Sequence, residues 1–413
     1  MRRFYVKTVC PLTLSNSKCK EITMIYANVA TDKNRILNHL ELIKRKKNAL
    51  DSSDANSSLL CQTGHLELQL TDKCYLNCPN CHFRGLGDKE IPFELLDNIV
   101  RFIKPKAITI AGGGEPTLYP NFDKAIIMLA KIPNVKIGLI TNGVIIPDGL
   151  WRKCIDWVRV SVYSIEDEKY AGRNAELYWK VLGNIEFYLK HCVEIPHIGV
   201  HFLFYRNNMP DVIPFIKEVY LKYRNDSKAL ERIHIQFKPA FLMSRPTQLT
   251  QVLHEENISF LPEKEQLIVL LSNLEDEFKL CEGFEYFLKK KSNVGLFFQL
   301  IDGGLSSLIN ITNPSNVFVK NLDECFICLA YQLIAPDGYM YPCLTLAEYR
   351  LHELSICNIA DLMNYDGNLI NNFRKMKSEC CNSLFCRNWE HNKIIRSYLD
   401  GLCDFAASND NFF

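Results

Sequence analysis

Three cysteines, Cys74, Cys78 and Cys81, have the spacing C-x3-C-x2-C and directly follow a short run of residues that is typical of a strand. Thiolates are the usual protein ligands of iron–sulfur clusters, so three of them in one loop can bind three irons of a 4Fe–4S cluster. The fourth iron then has no protein ligand and can bind a substrate or a cofactor. The spacing therefore indicates a reactive cluster.

Two other uses of these cysteines are weaker. A structural zinc site needs four ligands, usually from two paired knuckles, and the one nearby candidate for the fourth, His82, directly follows Cys81. A disulfide would leave one of the three cysteines over, and we expect no secretory signal at the N-terminus. The cluster is the favoured interpretation.

A glycine-rich turn, AGGGEPT at residues 111–117, follows the second predicted strand. Glycines let a backbone approach a ligand closely because no Cβ atom stands in the way. Glu115 offers an acceptor beside them. By itself such a turn is common, but here it comes one strand–helix unit after the cysteine loop.

Together, the cysteine loop and this turn resemble the radical S-adenosylmethionine (radical SAM) enzymes. The resemblance implies that the open iron is chelated by the amino and carboxylate groups of SAM. It also implies that one electron cleaves SAM to methionine and a 5′-deoxyadenosyl radical, which takes a hydrogen atom from the substrate. The family's GGEP motif is matched by Gly113, Gly114, Glu115 and Pro116, which are expected to hold the SAM amino group.

Further SAM contacts are implied by the same resemblance. Thr141 and Asn142 end the third strand, where the family lines the ribose, and Ser161 lies on the fourth strand, where a hydroxyl often approaches SAM. Arg173 follows in a position from which an arginine commonly pairs with the SAM carboxylate, a geometry that suits the guanidinium. An exposed loop arginine is the equal alternative for Arg173.

The chain departs from the family just before the third cysteine, where Asn80 replaces the usual aromatic residue. The adenine contact is therefore expected from His82, from Phe83 or from the backbone. Gln236 and Lys238 end the sixth predicted strand. They face either adenosine or substrate if the strands form a barrel, although Lys238 could equally be a surface residue.

A second group of cysteines lies near the C-terminus. It has the spacing C-x2-C-x9-G-x4-C around Gly338, and more cysteines follow in the run CCNSLFC. The sequence Pro-Asp-Gly at 336–338 predicts a hairpin turn that brings the flanking cysteines together. The members of this group are Cys325, Cys328, Cys343, Cys380, Cys381 and Cys386.

This second pattern resembles the start of the SPASM or twitch extension of radical SAM enzymes, which carries auxiliary 4Fe–4S clusters. Two clusters would need about eight ligands. Lys377 and Glu390 stand where two further cysteines would be expected. The resemblance therefore implies one auxiliary cluster, ligated by Cys325 or Cys328, by Cys343, by Cys386 and by one of the pair at 380–381. A zinc knuckle is the alternative.

Strand-like and helical segments alternate six times between about residues 64 and 240, which indicates a parallel sheet with helices outside it. We therefore predict an α/β fold: a partial (β/α)6 TIM-like barrel with a C-terminal auxiliary cluster domain. The expected division is an N-terminal extension of unknown role at 1–60, the core at 61–240, a connecting or substrate-covering region at 241–320, and the cluster domain at 321–413.

The composition of the chain argues against nucleic acid and membranes as binding partners. The chain has 413 residues and a formal net charge of +1, which gives no broad basic surface for nucleic acid or membrane. No apolar stretch is long enough to span a bilayer. Nine of its 17 cysteines lie at the two predicted cluster sites and most of the others are scattered along the chain, a distribution that favours cluster ligation in a reducing, cytoplasmic location over disulfides.

The expected reaction is oxidative modification or crosslinking of a peptide or protein, as in the maturation of ribosomally made peptides. A dehydrogenase or epimerase acting on a sugar-like or other small biosynthetic intermediate is the alternative. An electron donor such as flavodoxin or ferredoxin is implied. A cluster scaffold without turnover is a third possibility, which the glycine turn disfavours because a scaffold needs no SAM site.

Overall fold

The computed structural model has an α/β fold built on one sheet of nine strands, in the order β6-β5-β4-β3-β2-β1-β7-β8-β9. The residues that the structure describes are 36–52, 56–76, 78, 81, 83, 86–162, 175–239, 263–291, 324–348, 350, 352–364, 368–379 and 389–402.

The first six strands are parallel and follow one another in sequence order across the sheet. Strands β2 to β6 contain β-branched residues, β1 (HLEL) does not, and a helical segment lies between each strand and the next, as expected for a βα-repeat. The prediction of a (β/α)6 half-barrel is confirmed. The nine strands are β1 (His65–Leu68), β2 (Ala107–Ile110), β3 (Lys136–Thr141), β4 (Trp157–Val162), β5 (His197–Phe204), β6 (Ile233–Pro239), β7 (Tyr331–Ile334), β8 (Tyr339–Tyr341) and β9 (Cys357–Asn358).

Helices cover the sheet and its ends. The α-helices are α1 (Leu40–Asp51), α2 (Ser57–Cys61), α3 (Leu96–Asn98), α4 (Phe122–Leu129), α5 (Ala175–His191), α6 (Val212–Tyr223), α7 (Ser227–Arg232), α8 (Lys264–Leu280), α9 (Phe284–Lys291), α10 (Leu344–Glu348), α11 (Asn368–Glu379) and α12 (Trp389–Leu399). Shorter 3-10 or π turns are Ile36–His39, Phe93–Leu95, Ile99–Ile103, Pro116–Leu118, Trp151–Cys154, Arg206–Asp211, Ile327–Leu329, His352–Leu354 and Ile359–Asn364.

The two faces of the half-barrel differ in polarity. Val158, Val160 and Val162 are buried, and Val200 on β5 packs against side chains of α5 and α6, so this set faces the outer helices. Successive strand residues point to opposite faces. Trp157, Arg159 and Ser161 therefore face inward. On this strand the inner face carries polar side chains, whereas the outer face is aliphatic.

The sheet continues beyond the sixth strand into the C-terminal part of the chain. β7 pairs in parallel with β1, and β8 returns antiparallel to β7. The tight turn between β7 and β8 closes with a hydrogen bond from the Gly338 amide to the Ala335 carbonyl at 2.9 Å, and Gly338 has φ +81°. The predicted hairpin is confirmed, and it extends the sheet of the half-barrel.

Segments before and between these strands pack from outside. Helix α1 contacts α11 and α12, and Arg374 donates a hydrogen bond to the Leu50 carbonyl at 3.1 Å. Helices α8 and α9 pack on α6, where Lys217 pairs with Glu277 and Tyr220 donates to the Glu282 carbonyl. The described part of region 241–320 thus lies largely against an outer helix, and its role in covering a substrate stays a prediction.

Candidate active site

The cysteine loop begins at the carboxyl end of β1, the end at which barrels of parallel strands hold their active sites. Cys74 and Cys81 are exposed, Cys78 is half-buried, and the Cys81 amide donates to the Cys78 carbonyl at 3.1 Å. The base of the loop is fixed by Asp72, whose amide donates to the Lys89 carbonyl at 2.8 Å. The loop therefore has two exposed cysteines and one half-buried cysteine on an anchored base.

The glycine turn after β2 is joined to that base through the backbone. The Gly114 amide donates to the Thr71 carbonyl at 2.6 Å, and the Glu115 amide donates to the Lys73 carbonyl at 2.8 Å. A Cβ atom on Gly114 would lie 1.9 Å from the Lys73 carbonyl oxygen, so no side chain fits there. Gly113 has φ +63°, which favours glycine as well. Close approach to the cysteine loop is thus one reason for this turn's glycines.

The Glu115 carboxylate links the turn to the end of β3. It accepts hydrogen bonds from the Thr117 amide at 3.2 Å, the Thr117 hydroxyl at 2.7 Å, the Thr141 hydroxyl at 2.6 Å and the Asn142 amide at 2.7 Å. Burial raises the pKa of Glu115, and these hydrogen bonds oppose that rise. Both Glu115 and Thr141 are almost fully buried, so their side chains hold the loops together, and their predicted contacts with SAM stay untested.

Asn142 connects the cysteine loop to the same strand end. Its side-chain oxygen accepts from the Tyr75 hydroxyl at 3.1 Å and from the Val144 amide at 3.0 Å. Its Nδ2 is buried and has no hydrogen-bond partner among the described residues. A buried amide donor without a partner is costly, so this nitrogen is suited to a ligand at the predicted ribose position.

Phe83, the predicted adenine contact, lies beside the glycine turn. A Cβ atom on Gly112 would be 3.3 Å from its ring and 2.9 Å from Nε2 of Gln69. The Arg350 guanidinium lies 5.9 Å from the Phe83 ring centroid and pairs with Asp72 at 2.6 Å. Asp72, Gln69 and Arg350 are site residues that the sequence did not indicate.

Ser161 lies on β4, as predicted, and on the inner face of the half-barrel, while its contact with SAM stays a prediction. It lies opposite His201 on β5, which in turn lies opposite Gln236 on β6, so the three share one row across the half-barrel. Oε1 of Gln236 is buried without a hydrogen-bond partner in the described part of the chain. Arg159 lies two residues before Ser161 on the same face of β4. Its guanidinium carbon lies 5.0 Å from the centroid of the Trp157 ring.

The C-terminal cysteines occupy a more buried setting. Cys328 is fully buried and donates a thiol hydrogen bond to the Cys325 carbonyl at 3.3 Å, Cys325 is also buried, and Cys343 is half-buried at the end of the hairpin. The fully buried Lys46 of α1 lies near Cys328 and Cys61, and its ammonium donates to the Leu60 carbonyl at 2.8 Å.

Several predicted site residues lie outside the described residues. They are Asn80, His82, Arg173, Cys380, Cys381 and Cys386, together with the side chain of Lys238.

The donor set of the cysteine loop fits a 4Fe–4S cluster. Within the described ranges, no three His, Cys, Asp or Glu side chains are grouped so as to hold a single metal ion. The cysteines of such a cluster bind three different irons and need not converge on one point. Accessible thiols on an anchored loop, beside a glycine turn and an amide donor without a partner, are what a cluster that also binds SAM requires.

Residues 68–219 match the sequence profile described as the Radical SAM superfamily, and they include both the cysteine loop and the glycine turn. The chain therefore contains a radical SAM domain over this segment. The cofactors of the radical SAM superfamily are a 4Fe–4S cluster and SAM. None of the described helices is long and apolar enough to cross a membrane.

Individual relatives are distant and cover the chain in part. The tungsten-containing aldehyde ferredoxin oxidoreductase cofactor-modifying protein of Pyrococcus furiosus is 22% identical over 51% of this chain and 60% of its own. The S-adenosylmethionine-dependent nucleotide dehydratase of a Thermoplasmatales archaeon is 31% identical over 26% of this chain and 41% of its own. The solved structure of native anSMEcpe with bound AdoMet aligns with a TM-score of 0.47 and 18% identity, covering 80% of this chain and 88% of that one.

Proposed function

We propose that this enzyme reductively cleaves SAM and abstracts a hydrogen atom from a peptide or protein substrate, which it oxidises or crosslinks. The radical step is supported by one observation above all. The cysteine loop and the glycine turn are joined by the backbone hydrogen bonds Gly114 to Thr71 and Glu115 to Lys73, so the cluster ligands and the SAM-binding turn form one unit.

A cluster held by Cys74, Cys78 and Cys81 would supply the electron that cleaves SAM to methionine and a 5′-deoxyadenosyl radical. Each of the surrounding residues has its own task. The peptide groups of Gly113 and Gly114 line the place where the methionine end of SAM is expected, and Asn142 Nδ2 offers a donor at the ribose. Orientation of this kind is the protein's main contribution to cofactor chemistry.

A peptide substrate is supported by the open form of the half-barrel. In the described structure, β6 pairs with β5 alone, so the sheet does not close on itself. An open barrel leaves a lateral entrance that an extended chain can use, whereas a closed eight-stranded barrel has a packed interior. The oxidative outcome would follow if an auxiliary cluster at the C-terminal cysteines accepts the electron left on the substrate.

A small-molecule substrate is the second candidate. The relatives described above are named for a nucleotide substrate and for cofactor modification. The inner face of the half-barrel, with Arg159, Ser161 and Gln236, has the polarity that a small polar substrate needs. A dehydrogenation or an epimerisation would use the same radical step.

The electron source is expected to be a flavodoxin or a ferredoxin in the cytoplasm. A cluster bound by exposed cysteines is stable where thiols stay reduced, which favours that compartment.

Reductive cleavage of SAM is tested by anaerobic reconstitution with iron and sulfide, followed by dithionite and SAM. We expect 5′-deoxyadenosine from the wild-type chain and none above background from the variant with Cys74, Cys78 and Cys81 all changed to alanine. Cys192→Ala is the matched control, because Cys192 is a fully buried thiol that follows helix α5, before β5, and is not one of the predicted ligands. Cleavage by the triple variant at the wild-type rate would overturn the proposal.

The substrate class is tested by isotope transfer. An extract of the source organism grown on deuterated medium is separated into a peptide and protein fraction and a small-metabolite fraction, and each is incubated with the enzyme and unlabelled SAM. Deuterium in 5′-deoxyadenosine from the first fraction supports a peptide substrate. Deuterium from the second fraction alone would favour the small-molecule candidate instead.

A further inference from the structure

Arg350 belongs to the C-terminal part of the chain, yet its side chain ends at the base of the cysteine loop. Its Nη2 donates to Oδ1 of Asp72 at 2.6 Å, and its Nη1 donates to Oε1 of Gln69 at 3.2 Å. Asp72 lies two residues before Cys74, and its side chain is 1% exposed. Such a buried carboxylate needs a cationic partner.

The contact with Gln69 orients an amide. A guanidinium has only donors, so it fixes the side-chain oxygen of Gln69 towards itself and turns Nε2 away. That nitrogen points at the glycine turn, 2.9 Å from the place where a Cβ atom of Gly112 would be. Gln69 is fully buried, and its Nε2 has no hydrogen-bond partner among the described residues. SAM is expected beside this turn, so a buried donor without a partner here is suited to a contact with SAM.

The third contact of Arg350 is with Phe83. The guanidinium lies 5.9 Å from the ring centroid, and one ring carbon lies 3.3 Å from the place where a Cβ atom of Gly112 would be. The ring is therefore close both to an arginine of the C-terminal part and to the glycine turn of the half-barrel. Phe83 is, with His82, one of the two side chains from which the adenine contact is expected, given the asparagine at position 80.

The backbone of Arg350 is also unusual. Its φ is +52°, a conformation that an arginine adopts rarely, and its amide donates to the Ala347 carbonyl at 3.1 Å. This short stretch begins at Cys343, which belongs to the predicted auxiliary site, and ends at the SAM site. A strained backbone held by specific contacts is common at functional sites.

We propose that Arg350 is a positioning residue for SAM: it orients the Gln69 amide and the Phe83 ring and fixes the base of the cysteine loop through Asp72. The inference goes beyond the proposed reaction, because it assigns to the C-terminal part a role in SAM binding, through the residues that Arg350 positions, whatever the substrate is. It rests on the SAM-binding cluster alone and does not require an auxiliary cluster.

The test compares Arg350→Met, Arg350→Lys and Gln69→Leu with wild-type enzyme, all reconstituted anaerobically as full-length chains. Arg152→Met is the matched control, since Arg152 also pairs with a carboxylate, Glu194, but lies before β4 at the opposite end of the strands. The measurements are the dissociation constant for SAM, the electron paramagnetic resonance spectrum of the reduced cluster with and without SAM, the iron content and the melting temperature.

We expect Arg350→Met to weaken SAM binding by about tenfold or more and to reduce the SAM-induced change in the spectrum, since loss of orientation has effects of this size. Gln69→Leu should weaken SAM binding with little loss of iron. Arg350→Lys keeps the charge beside Asp72 but not the forked contact, so it should restore iron content without restoring SAM affinity.

Unchanged SAM affinity in Arg350→Lys and Gln69→Leu would overturn the inference, even if Arg350→Met fails to fold. An equal loss of affinity in Arg152→Met would overturn it too, because the effect would then be general destabilisation. A wild-type enzyme whose cluster spectrum does not respond to SAM would instead count against the proposed function itself.

Discussion

The Thr141 hydroxyl donates a hydrogen bond of 2.6 Å to the carboxylate of Glu115, and this bond ties the end of β3 to the turn after β2. The same carboxylate accepts from two backbone amides, so it serves as a shared acceptor for both loops. All of these partners are hydrogen-bond donors. Both oxygens of the Glu115 carboxylate must therefore be acceptors.

Glu115→Gln should weaken this junction although it keeps the size of the side chain. The amide replaces one acceptor oxygen with a donor that faces other donors, which is expected to cost roughly 1–3 kcal/mol of stability. Denaturant unfolding of the metal-free chain measures the loss, and iron content after reconstitution measures the effect on the loop. Glu94→Gln, at an exposed position, is the control and should change neither quantity.

Gly114→Ala should displace the base of the cysteine loop. The new Cβ atom would meet the Lys73 carbonyl oxygen, a backbone atom that cannot rotate away, so we expect a large loss of bound iron. Gly183→Ala is the control: Gly183 lies inside α5 with no atom within 4 Å of an added Cβ. That change should keep the iron and add about 0.5–1 kcal/mol of stability, because alanine favours a helix. Full iron loading of Gly114→Ala would contradict this account of the turn.

Lys46 should make the stability of the metal-free chain depend on pH. Burial lowers the pKa of Lys46 to about 7, against the opposing influence of the thiols of Cys328 and Cys61. Above that pH the unfolded chain binds more protons at this lysine than the folded chain does, so stability should rise with pH towards the unfolded pKa.

Lys46→Met removes this titration. Between about pH 7 and about pH 8.5, the wild-type chain should gain roughly 1.5 kcal/mol relative to the variant, as followed by urea unfolding. Lys44→Met changes an exposed lysine of the same helix and should keep the wild-type slope. Parallel pH curves for wild type and Lys46→Met would show that the ammonium is not buried as described.

The C-terminal cysteines should bind a second cluster. Wild-type chain is expected to hold about eight irons and the alanine variant of Cys74, Cys78 and Cys81 about four, one cubane having been lost. Changing Cys328 and Cys343 to alanine should remove the other four. Zinc in place of iron in the first variant would favour the zinc knuckle, and metal-free protein would refute both interpretations.

The sequence predicted the parallel half-barrel well, because its strands are short apolar runs separated by amphipathic helices. It also predicted the hairpin at Pro336, Asp337 and Gly338, since that turn chemistry is local. The sequence pattern says less about which distant strands pair with each other in the sheet. The pairing of β7 with β1 joins residues more than 260 positions apart, and no local pattern encodes it.

The same limit explains the site residues that were missed. Arg350 and Asp72 are 278 positions apart, and neither belongs to a motif. Glu115 was predicted from its motif as a SAM contact, but a motif does not reveal that four donors already surround its carboxylate. The role of a buried carboxylate depends on the groups that surround it, and these can be identified only from the folded structure.

The pairing of β1 on both sides has a consequence for truncated proteins. Without the C-terminal hairpin, β1 would become an edge strand, with a row of peptide groups open to pairing with another chain. A fragment that ends after β6 would therefore tend to aggregate even though it contains the whole radical SAM match. During synthesis, the strand that leads into the cysteine loop must also wait until β7, more than 260 residues later, has emerged before its second neighbour is available.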